Sequence, residues 1–399
     1  MKKTGLIVGG LAASLMATSA LAQDIDVKIG VLNDRSGLYA DLSGEGSVIA
    51  ARMAVEDFDA ASKGINVEIV SADHQNKPDV ASNIARQWID DEDVNVILDV
   101  PTSSAALAVH EVLRDSNALM LNSGAATSDL TGEACSPNTV HWTYDTWALA
   151  NGTGSAMVQQ GGESWFFLTA DYAFGHSLER DTAAVVEANG GEVVGTVRHP
   201  FPGQDFSSFL LQAQSSGAQV IGLANAGGDT VNTIKQAAEF GITQAGQSLA
   251  GLLIFLTDVH ALGLEAAQGL VLTESFYWDL DDETRAWSER FMEAKGDMPT
   301  MVQAGVYSAV LHYLKAVEET GSTDAEPVMA AMKSTPTSDP LFGEGEIRAD
   351  GRKIHDLYLF EVKSPDESEG AWDYYDVLAT IPADSAFRPM EEGNCPLVE

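Results

Sequence analysis

The sequence predicts an α/β protein built from two doubly wound units. Short β-branched runs alternate with amphipathic stretches from residue 26 onward, and such βαβα repetition is typical of a parallel sheet with helices on both faces. The alternation pauses after residue 124 and begins again at residue 164. The chain has 399 residues, which is more than one hydrophobic core usually holds. We therefore expect two lobes.

The first unit carries alternating strand and helix patterns. The helical spacing is clear at Val48, Ala51, Val55 and Phe58, which share one face. In chain order, the predicted elements are strand 27–32, helix 47–60, strand 65–73, helix 79–90, strand 94–100, helix 103–115 and strand 118–124.

The second unit repeats the pattern, and a third block follows it. The elements of the second unit are strand 164–170, helix 177–190, strand 191–199, helix 205–217, strand 218–226 and helix 229–241. The third block predicts a helix over 305–321 and strands at 355–362 and 372–378. Because this block is too small to form its own lobe, we expect it to dock on one or both of the others.

The first 22 residues predict a cleaved secretory signal peptide. Lys2 and Lys3 precede an apolar segment from Leu6 to Leu21, and Ala20-Leu21-Ala22 has the small-x-small pattern of a signal-peptidase site. The segment is too short for a membrane span, and no later apolar run reaches the roughly 20 residues that a span needs. We expect a mature chain that starts at Gln23, is exported and is not inserted in the membrane.

The net charge of the chain excludes some classes of binding partner. The formal net charge is −37 at pH 7, and such a field repels phosphate backbones and anionic lipid headgroups. We therefore expect no nucleic-acid partner and no membrane-surface partner. The acidity itself is interpreted as a solubility adaptation.

The chain has two cysteines, Cys135 and Cys395. An exported compartment permits a disulfide between them, and closing so long a loop would stabilise the fold by about 3–5 kcal/mol. The residues alone leave open both a disulfide and two unpaired thiols. Because neither cysteine lies in a CxxC motif or near a suitable histidine, we expect no metal site and no redox catalysis.

Enzymatic signatures are missing from the sequence. It contains no GxSxG, HExxH, P-loop or complete GxGxxG motif. The segment 44–49 (GEGSVI) lacks the third glycine and an acidic ribose partner, and His110-Glu111 lacks the second histidine of a zinc protease. We therefore expect a protein that is not an enzyme and that uses no cofactor.

Small and hydroxyl-bearing residues gather at the carboxyl ends of the predicted strands, which in open parallel sheets face the crevice where ligands bind. Ser103, Ser104 and the backbone amides of Ala125, Ala126 and Thr127 lie at predicted helix N-termini, where free N–H groups favour an anion. Simple N-capping is the alternative. If several of these groups converge on one crevice, they predict a site for a carboxylate-sized group.

Aromatic residues occupy the same kind of turn. Rings at strand ends can line a mostly apolar pocket that has a few polar groups, although core packing is the alternative for each ring. Asn225 and Asp258 follow neighbouring strands and add polar candidates. The aromatic candidates are Tyr39, Tyr172, Phe174, Phe276, Tyr277 and Trp278.

Taken together, these segments resemble the type I periplasmic binding proteins of ABC importers, the Leu/Ile/Val-binding family. The resemblance is carried by IGVLNDRSGLYADLSGEGSVIAARMAVEDF (29–58), LNSGAATSDL (121–130) and ANAGGDTVNTIKQAAEFGI (224–242), and it extends over the mature chain. It implies two Rossmann-like lobes joined by a three-crossover hinge, with ligand held between them by hinge closure. The implied division is 24–144 plus 276–347 for the first lobe and 145–275 plus 348–399 for the second.

The resemblance also implies a ligand class. Family members hold the carboxylate and ammonium of an amino acid with turns that match Ser103-Ser104 and Ala125 to Thr127. They add an acidic residue from the second lobe, whereas this chain has 224–229 (ANAGGD) there, and Asp258 is only a loose match. The phrases DYAFG, HWTYDTWALANGTG and ESFYWD resemble the branch that binds aromatic acids.

The leading hypothesis is a monomeric, non-catalytic solute receptor that delivers a small carboxylate to an inner-membrane ABC permease. The expected ligand is an aromatic acid such as a hydroxycinnamate or a benzoate. Branched-chain or other amino acids are the main alternative, and small amides, urea or other acids are further ones. The same closure would also serve a ligand sensor that acts on a signalling partner.

Overall fold

The computed structural model describes residues 24–398. The predicted signal peptide and Gln23 lie outside the described residues. The described chain forms two parallel sheets flanked by helices, together with two smaller antiparallel sheets. None of the described helices is both long enough and apolar enough to cross a membrane.

The first sheet has five parallel strands in the order β2-β1-β3-β4-β5. β3 and β4 are buried along their whole length, as expected for strands that are covered on both faces. The strands are β1 (Ile25–Asn33), β2 (Ile65–Asp73), β3 (Val96–Asp99), β4 (Leu119–Asn122) and β5 (Thr139–His141). The intervening helices are α1 (Gly44–Phe58), α2 (Pro78–Asp91) and α3 (Ser103–Leu113).

The crossover into the second unit is helical. It consists of α4 (Thr146–Leu149), a π-helical turn (Ala150–Gly154) and α5 (Ser155–Gln159). Asp145 caps α4 by accepting a hydrogen bond from the Ala148 N–H at 2.8 Å.

The second sheet has four parallel strands in the order β7-β6-β8-β9. Its strands are β6 (Ser164–Ala170), β7 (Glu192–His199), β8 (Val220–Ala224) and β9 (Ser248–Gly251). Its helices are α6 (Ala173–Ala188), α7 (Ser207–Ser216), α8 (Gly228–Glu239), α9 (Leu256–Leu262) and α10 (Leu264–Ala267). The two parallel sheets confirm the predicted α/β class with two doubly wound units.

The third block divides between the two units, as its size predicts. Helices α11 (Asp282–Lys295), α12 (Met301–Thr320) and α13 (Ala325–Ser334) return to the first unit, where the Tyr307 hydroxyl donates to Asp57 at 2.7 Å. The small sheet of β11 (Thr337–Asp339), β12 (Gly343–Ile347) and β13 (Lys353–Ile354) follows them.

The other antiparallel sheet packs against the second unit. It comprises β10 (Val271–Glu274), β14 (Leu357–Val362) and β15 (Tyr375–Ile381) in the order β10-β14-β15. Leu272 and Phe360 belong to the same hydrophobic cluster as Phe166 and Leu223 of the second sheet. This cluster packs the β10-β14-β15 sheet onto the second unit.

The C-terminal segment returns to the first unit. After α14 (Ala383–Ala386), the Arg388 guanidinium donates to the Ser128 carbonyl at 3.0 Å, and Cys395 forms a disulfide with Cys135. Residues 387–395 therefore contact residues 128–135, although the expected division into lobes assigns them to the second lobe. The bond also decides between the two states of the cysteines that the sequence left open.

Candidate functional site

A cavity lies where the strand ends of the two parallel sheets meet. Its lining atoms leave about 220 Å³ of space, part of which is open to solvent. Every lining residue follows the carboxyl end of a strand or lies in the crossover, as the topology of parallel sheets predicts. The lining residues are Tyr39, Leu42, Pro101, Gly124, Ala126, Tyr144, Tyr172, Phe174, Ala226, Leu253 and Phe255.

Tyr39 is held in the cavity wall by the loop that follows β1. The buried carboxylate of Asp34 accepts hydrogen bonds from the Gly37 N–H at 2.8 Å and from the Tyr39 N–H at 2.9 Å. Asn76 donates to the same carboxylate at 2.5 Å. Because the loop is braced through its backbone, the ring of Tyr39 has a fixed position.

The turn after β3 is strained where it reaches the cavity. Asp99 and Val100 both have positive φ angles, 77° and 48°, which is unusual for residues other than glycine and most of all for a β-branched one. The buried Asp99 carboxylate accepts from Asn33 at 3.0 Å and from Ser43 at 2.6 Å, which holds the turn in place. Strain of this kind concentrates at binding sites, and here the next residue, Pro101, lines the cavity.

The second unit contributes two rings from the start of α6. Tyr172 precedes the helix and Phe174 lies in its first turn. Gly175 permits this sharp entry, because a Cβ there would lie 2.0 Å from the Ala170 carbonyl oxygen. The helix therefore begins four residues before the predicted start at 177, and both rings face the cavity.

The two units meet across the cavity through a pair of tyrosines. The hydroxyls of Tyr39 and Tyr172 are 2.5 Å apart, and Phe201 stacks on Tyr172 with ring centroids 4.2 Å apart. Burial raises the pKa of both tyrosines well above the usual value, so the hydroxyls stay protonated. The pair is a neutral hydrogen bond between the two units.

Free backbone donors lie beside the cavity in the first unit. Ala125 and Ala126 are buried, yet within residues 24–398 their N–H groups have no acceptor. Ser103 accepts the N–H of Thr127 at 3.2 Å and so fixes the turn, while Ser104 follows it in the first turn of α3. Buried N–H groups are rarely left unpaired, so this turn fits an acceptor such as a carboxylate oxygen.

The cavity wall carries no charge. Its described lining consists of five aromatic residues, with aliphatic side chains, proline and glycine making up the rest. The nearby acids point elsewhere: Asp229 accepts from the Gly203 N–H at 3.0 Å, and Asp258 accepts from the Phe255 N–H at 3.0 Å. Burial raises the pKa of each of these two carboxyls to about 7.

The structure places the predicted site residues in three settings. Tyr39, Ala126, Tyr172 and Phe174 line the cavity, while Ser103, Ser104, Ala125 and Thr127 form the turns beside it. The remaining candidates lie outside the lining and have structural partners. These are Asn225, Asp258, Phe276, Tyr277 and Trp278.

Those partners explain the third setting. Asn225 bonds to Thr230 at 2.8 Å inside the β8–α8 turn. Phe276 packs edge-on against Trp287, and the Tyr277 hydroxyl donates to the Trp372 carbonyl at 3.0 Å. Phe276 and Tyr277 lie in a strand-end turn that packs into the core where the chain returns to the first unit, so they are not among the residues that line this cavity.

Sequence reasoning missed several lining residues. Tyr144 lies in a segment that was noted only for its resemblance, and Ala226 lies in a turn from which only Asn225 was selected. Leu253 and Phe255 follow β9, a four-residue strand without a clear pattern, so the turn after it gave no signal.

Comparisons with known proteins show the family and the fold. The family model described as "Periplasmic binding protein" matches residues 26–370. A curated relative, "Leu/Ile/Val-binding protein homolog 6" of Brucella melitensis, is 28% identical and covers 92% of this chain and 94% of its own. A periplasmic binding protein from Burkholderia mallei is 54% identical, with a TM-score of 0.92 over 94% of this chain and 100% of that one.

For two further solved structures, the ligand class or the bound ligand is known by name. A branched-chain amino acid ABC transporter periplasmic ligand-binding protein from Burkholderia xenovorans is 42% identical, with a TM-score of 0.83 over 93% of this chain and 99% of that one. A solute-binding protein of an ABC transporter from Rhodopseudomonas palustris, in complex with p-hydroxybenzoic acid, is 26% identical, with a TM-score of 0.81 over 90% of this chain and 97% of that one.

Proposed function

The chain belongs to the periplasmic binding protein family, and from this premise we propose that it captures a small aromatic acid between its two lobes. The observation that carries this proposal is the wall of the cavity, which is lined by aromatic rings and carries no charge. A benzoate-type ring would pack against these side chains. Its carboxylate would accept from the buried N–H groups of Ala125 and Ala126 and lie near the N-terminus of α3.

The same wall disfavours amino acids. An ammonium group moved from water into an apolar cavity needs a carboxylate partner, and none of the described lining residues supplies one. Asp229 and Asp258 are the nearest candidates, but both are engaged with backbone N–H groups. The relatives leave both ligand classes open, since one is described as a branched-chain amino acid protein and another holds p-hydroxybenzoic acid.

The proposal includes the division into lobes and the cellular role. Residues 24–144 with 276–347 would form one lobe and 145–275 with 348–399 the other, and the tyrosine pair would close the entrance when the lobes meet. The protein would be exported to the periplasm by its N-terminal leader, act as a non-catalytic monomer and deliver its ligand to an ABC permease. A sensor for a signalling partner would use the same closure.

The test is a thermal-shift screen of the mature protein against benzoate, 4-hydroxybenzoate, 4-hydroxycinnamate, leucine, isoleucine, valine and acetamide. Ligand at a hundredfold excess over its dissociation constant stabilises the fold by about 2.7 kcal/mol, which is readily detected. We expect a shift with the benzoates. A shift with the amino acids alone would contradict the proposal.

A variant pair ties the shift to the cavity. Ala226→Asp places a carboxylate on the wall and should remove the benzoate shift through like-charge repulsion and desolvation. Ala184→Asp makes the same change at an exposed position of α6 and should keep the shift. Equal shifts in the two variants would locate binding outside this cavity.

A further inference from the structure

One face of α6 links the cavity to the interface between the two units. Phe174, Ser177 and Asp181 are spaced three and four residues apart, so they lie along the same side of the helix. Phe174 lines the cavity, and both Ser177 and Asp181 are buried. This face contacts Thr127 and Ser128, at the end of the Ala125–Thr127 turn of the first unit.

Ser177 is hydrogen-bonded to the Ala125–Thr127 turn of the first unit. Its hydroxyl lies 2.9 Å from the hydroxyl of Thr127, whose own N–H is fixed by Ser103. Arg180 donates to the hydroxyl of Ser177 at 2.9 Å. The side chain of Thr127 is therefore engaged with the second unit, and the free N–H groups beside the cavity belong to the two residues before it.

Asp181 joins three segments of the chain. Its Oδ2 accepts from the Ser128 hydroxyl at 2.7 Å and from the Thr146 hydroxyl at 2.6 Å, so that α6, the turn of the first unit and the crossover helix α4 share one carboxylate. Its Oδ1 accepts from Arg180 at 2.9 Å, and Arg180 also pairs with Asp129 at 3.1 Å. This set links the two units beside the cavity.

We propose that Ser177 and Asp181 are positioning residues that hold the lobes in the closed arrangement and set the Ala125–Thr127 turn without touching the ligand. The inference rests on the proposed closure of the lobes around a ligand. Helix α6 carries Phe174 in its first turn and Ser177 and Asp181 farther along. This one helix therefore places a ligand ring that contacts Phe174 beside the turn that would bind the ligand carboxylate.

The test measures the distance between the lobes directly, in the full mature protein. All of the cysteine in the sequence is in the disulfide, so spin labels attach only at introduced cysteines. Asp90→Cys on α2 and Ser215→Cys on α7 are exposed and report one lobe each. The distance distribution is recorded with and without benzoate in the labelled parent protein and in Ser177→Ala, Asp181→Asn and Glu187→Gln versions.

We expect Ser177→Ala and Asp181→Asn to move the distribution toward longer distances and to weaken benzoate binding about tenfold. Glu187→Gln removes a carboxylate from the exposed side of the same helix and should change neither readout. If Asp181→Asn does not fold, as judged by circular dichroism, Ser177→Ala carries the test alone. Unchanged distances in the folded variants would overturn the inference, whatever happens to their melting temperature.

The distances separate this inference from the ligand proposal. The measurement without ligand asks only whether the α6 face holds the lobes together. A parent protein that ignores benzoate but opens on Asp181→Asn would contradict the aromatic-acid proposal and support the positioning role. The reverse pattern, benzoate binding with no change in distance on either substitution, would support the ligand and overturn the role of α6.

Discussion

Gly227 provides a test of closure that leaves the ligand untouched. It precedes α8 in the second unit and has a φ of 57°, in a region that L side chains rarely adopt. A Cβ at this position would lie 2.8 Å from the Leu38 carbonyl oxygen and 3.0 Å from the ring of Tyr39, both in the first unit. We therefore predict that Gly227→Ala props the lobes apart.

The substitution has two effects of different kinds. The unfavourable φ costs about 1–3 kcal/mol in both the open and the closed arrangements, so it lowers the melting temperature and leaves affinity unchanged. The contact with Leu38 exists only when the lobes are closed. Overpacking against a backbone atom costs about 1–3 kcal/mol, which corresponds to roughly 5- to 150-fold weaker binding.

Gly228→Ala is the matched control. A Cβ at this position would meet Leu38 too, but the atom it approaches, at 2.6 Å, is the Cδ2 end of a flexible side chain. That end can rotate away, so we expect less than a threefold change in affinity. Isothermal titration with the strongest ligand from the screen, benzoate first, measures both variants. Equal affinities for Gly227→Ala and the parent protein would refute the reasoning, because they would mean that binding does not require this contact between the units.

Three further predictions concern stability and the cavity. Replacing Cys135 and Cys395 by serine should lower the free energy of unfolding by about 5 kcal/mol, because the bond closes a sequence separation of 260 residues; a loss below about 1 kcal/mol in urea titrations would contradict the chain-entropy argument. Burial raises the pKa of Asp229 to about 7, above its unfolded value of roughly 3.9. The folded protein therefore binds the Asp229 proton more tightly than the unfolded chain does. The contribution of this proton to the free energy of unfolding is full below about pH 4 and is lost as the pH rises through 7. Asp229→Asn should flatten that part of the pH profile, and an unaltered slope between pH 4 and 7 would argue against it. Phe255→Ala removes a buried ring from the cavity wall and should cost about 3–5 kcal/mol of stability together with benzoate affinity, whereas unchanged affinity would exclude Phe255 from the site.

The long periodic elements and the short buried strands β3 and β4 were predictable from the sequence, whereas β5 and the charged helix α11 were not. The strand predicted over 65–73 has the bounds of β2, because its alternation and flanking residues leave little choice. β5 has only three residues, too few for a period. α11 was missed because its sequence, DETRAWSERFMEAK, is mostly charged and buries only a narrow stripe that includes Trp287 and Phe291.

The lining of the cavity was predictable where it depends on the sheet topology and was not where it depends on tertiary packing. Ala126 and Tyr172 follow strands whose order places their turns at the crevice, and both line the cavity. Tyr277 and Tyr144 look alike locally, yet one hydroxyl reaches the Trp372 carbonyl in the core and the other reaches the Gly124 carbonyl in the cavity wall. That choice is made by tertiary contacts with other segments, 20 residues away for Tyr144 and 95 for Tyr277, and local sequence does not record it.

The disulfide between Cys135 and Cys395 also orders events in time. Cys395 follows Cys135 by 260 residues, so the ribosome synthesises both parallel sheets before the second thiol exists. The loop beside the cavity, with Ala125 and Ala126 at its start, therefore gains its covalent bond only after those sheets have been made. A chain that stops before residue 395 would leave Cys135 as a free thiol open to thiol-reactive labels.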